Sequence, residues 1–191
     1  DVMRRYKIIP KEEIESVLKA CVLSKPLGRV GIRHYPIVTD TDRYENLYHN
    51  GCKCAKCGLE AEFAAIEKEE KSKDKFHINV YVVDSRGKEL MLTKDHIYPR
   101  ALGGYDDLCN YQVLCERCNT KKGDGTDLTP EEAIEKGYTS KEVVELVSEL
   151  RAEQEIQRHM EQELKSQRAM VAKFNKKVKE AIPERDKKEF M

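Results

Sequence analysis

Residues 93–124 read TKDHIYPRALGGYDDLCNYQVLCERCNTKKGD and concentrate the reactive side chains of the chain in one short segment. The segment holds an Asp-His pair, a Gly-Gly pair, a Cys-x-x-Cys pair and an Asn followed by Lys-Lys-Gly. An earlier Cys-x-x-Cys unit, Cys54 to Cys57, lies on the other side of the Asp-His pair. Such a grouping indicates a functional site.

The composition limits what surrounds this segment. With 191 residues, 37% charged and 39% hydrophobic, the chain suits one domain with appendages and has little apolar material for a second core. The formal net charge is zero, which excludes a uniformly basic nucleic-acid coat and leaves local patches for any such binding.

The cysteines bear on the cellular compartment. No apolar run has membrane-spanning length, and the first residues lack the apolar core of a secretory signal. The expectation is therefore an intracellular, cytoplasmic protein with no membrane partner. Thiols stay reduced in that compartment, so paired cysteines are better explained as metal ligands than as disulfides.

The two cysteine pairs predict one structural zinc site. Fifty-seven residues separate Cys57 from Cys115, whereas compact zinc ribbons leave about 15 to 20. Closing the longer loop costs roughly 1 kcal/mol extra, against about 10 to 16 kcal/mol for a structural zinc. We therefore expect Cys54, Cys57, Cys115 and Cys118 to share one zinc ion. The alternatives are two independent pairs or a redox Cys-x-x-Cys.

A β-hairpin is predicted to carry the Asp-His pair. Phe76–Val83 has strand composition, residues 84–87 form a turn, and a returning strand begins at Leu90. This hairpin would deliver Asp95 and His96, whose side chains point to opposite faces unless the end of the strand twists. A short strand and a helix starting at Glu116 are expected to follow.

The flanks are less regular. A helix is predicted from Pro10 to near Ser24, with Cys21 buried on its apolar stripe. Residues 29–50 are predicted to be irregular, and their interleaved bases and aromatics either contact nucleic acid or pack on the core. Residues 59–75 are expected to form an exposed helix or a mobile insertion.

Two helices are predicted after the motif. Thr129 caps the first, with Pro130 at its first position, and Ser140 caps a long second helix. Apolar residues recur along the long helix at spacings of three, four and seven, and its end carries a basic face. This pattern fits either a coiled-coil homodimer arm or a helix folded back on the domain.

The donor types in the motif suit hydrolysis at a metal site. Asp95 is a hard oxygen donor for magnesium or manganese, and Asn119 can add a neutral carbonyl oxygen. His96 carries an imidazole that can take a proton from water. Three nearby cations could hold flanking phosphates by charge alone: Arg100, Lys121 and Lys122.

Taken together, these motifs resemble the zinc-containing HNH endonucleases with the ββα-metal fold. The resemblance implies that His96 is the general base, and that Asp95 and Asn119 bind a catalytic divalent cation. It also implies that Asn110 ties the loop and orients His96 through the backbone. The last position is Asn rather than His, which makes Mg²⁺ or Mn²⁺ the expected cation.

The predicted fold is α+β: a ββα-metal core held by a four-cysteine zinc site, with an N-terminal helical extension and a long C-terminal helix. The predicted divisions are 1–50, 51–125 and 126–191. The predicted activity is metal-dependent hydrolysis of DNA phosphodiesters. The alternatives are a branched-DNA resolvase similar to the phage recombination endonucleases, or a noncatalytic nucleic-acid-binding zinc module.

Overall fold

One mixed sheet organises most of the chain. The computed structural model describes residues 3–71 and 75–181. Its strands are β1 (Met3–Pro10), β2 (Arg29–Ile32), β3 (Tyr35–Val38), β4 (Ala61–Glu69), β5 (Phe76–Val83), β6 (Glu89–His96) and β7 (Tyr111–Cys115). Its helices are α1 (Ile14–Leu23), α2 (Asp42–His49), α3 (Glu116–Lys122), α4 (Pro130–Glu135) and α5 (Lys141–Ala181).

β5 is the strand that joins the two parts of the sheet. β4 pairs with it antiparallel along one side, and β1 continues the sheet beyond β4. On the other side, the start of β5 pairs in parallel with β3 through Phe76, and its end pairs antiparallel with β6 through Tyr81 to Val83. β7 then pairs with β6. The predicted hairpin is therefore confirmed, and it is anchored in a larger sheet.

The N-terminal region differs from the prediction. The helix expected after Pro10 is present as α1, which ends at Leu23 with Ser24 as its C-cap and buries Cys21. Residues 29–50, predicted to be irregular, instead form β2, β3 and α2, and β1 was not predicted at all. β1 pairs with β4, β3 pairs with β5, and β2 pairs with β3, so the strands of this region extend the sheet, and residues 3–50 are not a helical extension alone.

The prediction for residues 59–75 is wrong over β4. Alanine and charged residues favour a helix when considered locally, but β4 lies between β1 and β5 and is largely buried. Its most unusual residue is Glu67, only 3% exposed. Arg5, Asn79 and Tyr81 all donate to that carboxylate. The three hydrogen bonds offset the free-energy cost of burying the charge in a strand.

The hydrophobic core lies between the sheet and helices α1 and α2. Tyr44 of α2 illustrates the contact, because its buried hydroxyl accepts from the backbone N–H of Ile78 on β5 at 2.9 Å. α2 also contacts β7, where Asn46 donates to the carbonyl of Gln112 at 3.0 Å. The core brings α2 and α3 into contact with the paired strands β6 and β7, which are called the β6–β7 hairpin below.

The chain divides into two compact units, Asp1–Val144 and Glu145–Met191. The divisions expected at residues 50 and 125 remain predictions. The caps expected at Thr129 and Ser140 are confirmed, and the long helix α5 follows. The last ten residues of the predicted C-terminal region lie outside the described residues.

Helix α5 carries exposed apolar side chains that include Leu146, Met160 and Phe174. The homodimer through this helix remains a prediction. Within the described residues, no helix is long and apolar enough to cross a membrane.

Candidate metal centre and reactive site

The four predicted zinc ligands converge. The Sγ atoms of Cys54, Cys57, Cys115 and Cys118 all lie within 4.8 Å of one another. Zn–S bonds of about 2.3 Å in a tetrahedron require sulfur atoms about 3.8 Å apart, and the Sγ atoms of Cys57 and Cys115 are 3.8 Å apart. The cluster could therefore hold a zinc ion. Residues 58–114 separate the two pairs in sequence without preventing this arrangement.

The protonation of these thiols also fits a cation site. Burial raises the pKa of the Cys54 thiol, but the backbone N–H groups of Cys115, Cys57 and Lys56 outweigh that effect and lower it to about 6. Burial raises the pKa of the Cys118 thiol to about 12, and the neighbouring thiols add to the rise. One thiolate is favourable without a metal, whereas several require a cation.

Backbone hydrogen bonds fix the first cysteine turn, residues 54–58. The N–H of Gly58 donates to the carbonyl of Cys54 at 2.9 Å, and Gly58 has a φ of 73°, where glycine is favoured. The N–H of Ala55 donates to the carbonyl of Val113 at 2.8 Å, which attaches this turn to β7. The second pair spans the junction of β7 and α3, so the cluster joins three elements.

Strands β6 and β7 pair antiparallel, and helix α3 contacts both of them. Along β6 and β7, Leu92 pairs with Cys115, Asp95 with Gln112 and His96 with Tyr111. The thiol cluster lies at the first of these pairs and the Asp-His pair at the last. The same hairpin therefore carries both groups at its opposite ends.

Asp95 lies on the hairpin face that contacts α3. It is 7% exposed, and its Oδ2 accepts from Gln112 Nε2 at 2.7 Å. Lys122 Nζ lies 3.1 Å from Asp95 Oδ1 and 3.0 Å from Oδ2, and it also donates to the carbonyl of His96 at 2.7 Å. An ammonium group thus compensates the buried carboxylate.

Asn119 projects from α3 onto the same face. Thr93 Oγ1 donates its hydrogen to the carbonyl of Leu114 at 2.9 Å, so it can only accept from Asn119. Asn119 Nδ2 makes that bond at 3.0 Å. Its Oδ1 is therefore turned away and has no hydrogen-bond partner among the described residues. Thr93 and Asp95, two positions apart on β6, share one face of the strand.

His96 contacts a different set of groups. Its Nε2 lies 2.7 Å from Asp106 Oδ1, and its ring packs edge-on against Tyr111 with centroids 5.0 Å apart. This hydrogen bond, with a smaller contribution from Arg100, lowers the pKa of Asp106 despite its partial desolvation. An ionised carboxylate only accepts, so Nε2 carries the proton and Nδ1 is the basic nitrogen of a neutral ring.

The His96 side of the hairpin also receives a residue from the N-terminal region. Tyr111 Oη donates to Asp42 Oδ2 at 3.2 Å and lies 3.5 Å from Asp106 Oδ1. Burial, followed by the charges of Asp42 and Asp106, raises the pKa of Tyr111. Lys94 Nζ lies 4.0 Å from the Tyr111 ring centroid and 3.4 Å from Asp42 Oδ2. Helix α2 therefore forms part of the surroundings of His96.

Asn110 ties the loop between β6 and β7. It is fully buried; its Oδ1 accepts from the N–H of Tyr98, and its Nδ2 donates to the carbonyls of Tyr98 and Tyr105. Its own carbonyl accepts from the N–H of Ile97, the residue after His96, at 2.8 Å. A Cβ on Gly104 would lie 1.9 Å from the carbonyl oxygen of Tyr98, so this loop requires glycine there.

The three residues predicted to hold phosphates have different surroundings. Lys122 is engaged by Asp95, and Arg100 lies 3.5 Å from Asp106. Lys121 is exposed and forms no ion pair with a residue that the structure describes. Of the three, Lys121 is therefore the one without an ion-pair partner among the described residues, and the phosphate contacts remain a prediction.

The structure thus brings the four cysteines together, and Asn119 of α3 contacts Thr93, which shares a strand face with Asp95. No hydrogen bond joins the His96 ring to Asp95 or Asn119 within the described residues. Sequence reasoning missed Asp106 as the partner of His96, although that acid lies in the same loop. It also missed Thr93, whose strand alternation with Asp95 was a usable signal.

The comparisons with known proteins agree with the motif. Residues 84–133 match the family model of the HNH endonucleases. The matched segment contains the Asp-His pair, Asn110 and the second cysteine pair, but not the first pair. Comparisons with curated proteins and with solved structures find no match. The predicted resemblance is confirmed for this segment, and it supports a nuclease.

Proposed function

We propose that the protein is a metal-dependent HNH endonuclease that hydrolyses phosphodiester bonds in DNA, built on a ββα-metal core. His96 is the general base, and Asp95 and Asn119 are the ligands of a catalytic divalent cation. The four cysteines bind a structural zinc ion. The family match over residues 84–133 supports the reaction class, and the contacts of these side chains support the roles.

The orientation of Asn119 is the observation that carries this proposal. Its amide nitrogen donates to Thr93, on the strand face that bears Asp95, and its amide oxygen has no hydrogen-bond partner among the described residues. A carboxylate and a carboxamide oxygen are hard donors that suit Mg²⁺ or Mn²⁺.

The donor set therefore fits a hard cation, with Lys122 as the group that compensates Asp95 without one. When bound, such a cation would neutralise a nonbridging oxygen and the leaving 3′ oxygen of the phosphodiester. Lys122 would then have its ammonium free for a phosphate oxygen, which is the role predicted for it. Gln112 would continue to hold Asp95 Oδ2 in place.

The chemistry assigned to His96 is proton removal. Asp106 holds the proton on Nε2, so Nδ1 accepts a proton from the attacking water. The water oxygen bonds to phosphorus, the P–O3′ bond breaks, and the leaving 3′ oxygen takes a proton from solvent, so the products are a 5′ phosphate and a 3′ hydroxyl. Asn110 keeps the segment after His96 in place through its backbone bond to Ile97.

The zinc cluster has a separate, structural role. It joins the first cysteine turn to β7 and the start of α3, which carries Asn119 and Lys122. Zinc would fix the helix against the hairpin and maintain the distance between Asn119 and β6. Loss of zinc should therefore abolish cleavage without changing any reactive side chain.

A cleavage assay tests the proposal. The protein is incubated with supercoiled plasmid or with a branched duplex, in Mg²⁺, in Mn²⁺ or in EDTA at a concentration that leaves the zinc bound. Nicking or linearisation of plasmid in Mg²⁺ or Mn²⁺, absent in EDTA, is the expected result. Preference for the branch would indicate a resolvase, and binding without cutting in either metal would contradict the enzyme assignment.

A further inference from the structure

A groove beside the candidate active site is lined with lysines. It has a volume of about 650 Å³ and lies between the first cysteine turn, the edge strand β7 and the segment after α3. Four lysines line it, against a single acid, Asp127. We call it the lysine groove, after Lys56, Lys121, Lys122 and Lys136.

The groove leads to Asp95. Gln112 and Lys122 both line it, and both donate to the Asp95 carboxylate. Lys122 is therefore charge-compensated, whereas Lys56, Lys121 and Lys136 form no ion pair within residues 3–71 and 75–181. The net positive charge lies away from Asp95, along the length of the groove.

Hydrogen bonds attach both sides of the lysine groove, the first cysteine turn and the segment after α3, to the rest of the fold. One wall is attached to β7 by the bond from Ala55 N–H to the carbonyl of Val113. The other is attached to the loop after β6, because Thr126 Oγ1 donates to the carbonyl of Ile97 at 3.2 Å and the carbonyl of Tyr138 accepts from Tyr105 at 2.8 Å. A preformed groove avoids most of the ordering cost of binding.

We infer that one strand of the DNA substrate runs along the lysine groove, with Lys56 and Lys136 holding phosphates that flank the scissile one. This inference rests on the proposed function, since it takes the scissile phosphate to lie at Asp95. Lysine ammonium groups hold phosphates as point charges, without reading sequence. The partly buried ring of Tyr138 offers an apolar surface for a sugar or base next to them.

Binding measurements at several salt concentrations test this inference. The full chain with zinc bound carries His96→Ala, so that the DNA stays intact, and a short fluorescein-labelled duplex is the probe. On this background, Lys56→Ala with Lys136→Ala removes the two proposed contacts. The control pair is Lys7→Ala with Lys19→Ala, which removes two exposed lysines of β1 and α1 that do not line the groove.

The groove variant should lower the affinity and flatten the plot of log K against log salt by about 1.8, or 0.9 for each lost phosphate contact. The control pair should leave the slope within about 0.5 of the parent. Equal slopes for the two pairs would overturn the inference.

Plasmid nicking by the chain with His96 intact tests the proposed function separately. If plasmid is nicked but the groove and control variants give equal salt slopes, the DNA contact with the lysine groove is overturned and the proposed function stands. No nicking combined with a flattened slope overturns the nuclease assignment, while the strand contact with the groove stands.

Discussion

The two ends of the β6–β7 hairpin are built differently. At the end where Leu92 pairs with Cys115, four thiols already meet within 4.8 Å. At the end where His96 pairs with Tyr111, the reactive groups are held by separate protein partners, Lys122 for Asp95 and Asp106 for His96. The first end is arranged as a complete set of four ligands. Under the proposed function, the groups of the second end would exchange these partners for substrate and cation.

The chemistry of the groups explains this difference. Thiols are weak hydrogen-bonding groups, so four of them can lie together without competing partners. A buried carboxylate is costly without compensation, and Lys122 supplies it in the absence of a metal. The four thiols therefore have the geometry of a metal site, whereas the side chains of the proposed catalytic site are paired with other protein groups.

The largest expected effect is loss of the zinc site. Cys118→Ser removes one of four thiolates and with it zinc binding on the order of 10 kcal/mol. We expect the variant to lose its zinc, to unfold at a lower temperature and to stop cutting. The control is Cys109→Ser, an exposed cysteine outside the cluster. Zinc retained by Cys118→Ser at the parent level, measured by metal analysis, would contradict the four-thiol site.

The second effect concerns the reactive end alone. His96→Ala removes the proposed general base, and plasmid cleavage should fall about 100- to 10,000-fold. Zinc content and DNA binding should not change, because the ring bonds Asp106 and packs on Tyr111, and neither is a cysteine of the cluster or a residue of the lysine groove. His49→Ala, an exposed histidine of α2, is the matched control. Cleavage rates that differ by only a few-fold between the two variants would rule out the role given to His96.

The third effect concerns the stability of the loop between β6 and β7. The Cβ of Gly104→Ala would clash with the carbonyl of Tyr98 and approach Asn110 Nδ2 at 2.9 Å. We expect a loss of more than about 2 kcal/mol in the free energy of unfolding, measured with urea. Gly31→Ala has open space around its Cβ and should change stability by less than about 0.5 kcal/mol. Similar midpoints for the two variants would contradict the tight loop.

The smallest effect is a pH dependence at Asp106. The hydrogen bond from His96 holds its pKa below the ordinary value, although partial desolvation opposes this. Because the folded pKa is the lower one, the contribution to stability is present above about pH 4 and is lost as the pH falls through the folded pKa. It is small, since the Asp106 side chain is 49% exposed. A carboxyl NMR titration should show a midpoint that rises in His96→Ala; an unchanged midpoint would contradict the contact.

The same two ends show what sequence can predict. The cysteine spacing and the order of Asp95, His96, Asn110 and Asn119 are local patterns, so the hairpin, the helix α3 and the converged thiols follow from them. The partners Lys122 and Asp106 do not follow, because partner choice depends on how the hairpin faces α3 and on the path of its loop. The sequence motif predicts which side chains are reactive, but not which protein groups they contact.

The N-terminal half shows the limit of local propensity. β4 has alanine and glutamate where strands favour β-branched residues, and only its position between β1 and β5 makes it a strand. Glu67 is tolerated inside because Arg5, distant in sequence, reaches it at 2.9 Å. Such nonlocal pairs leave no periodic signal, which is why the predictions for residues 29–50 and for β4 are wrong.

Anomalous diffraction from zinc-loaded crystals soaked in Mn²⁺ tests the central assignment most directly. A manganese peak is expected within about 2.5 Å of an Asp95 carboxylate oxygen and of Asn119 Oδ1, with Lys122 Nζ displaced from Asp95. A second peak at the zinc edge should lie among the four sulfur atoms. Crystals in which manganese binds elsewhere while Lys122 still pairs with Asp95 would contradict the catalytic site described for this hairpin.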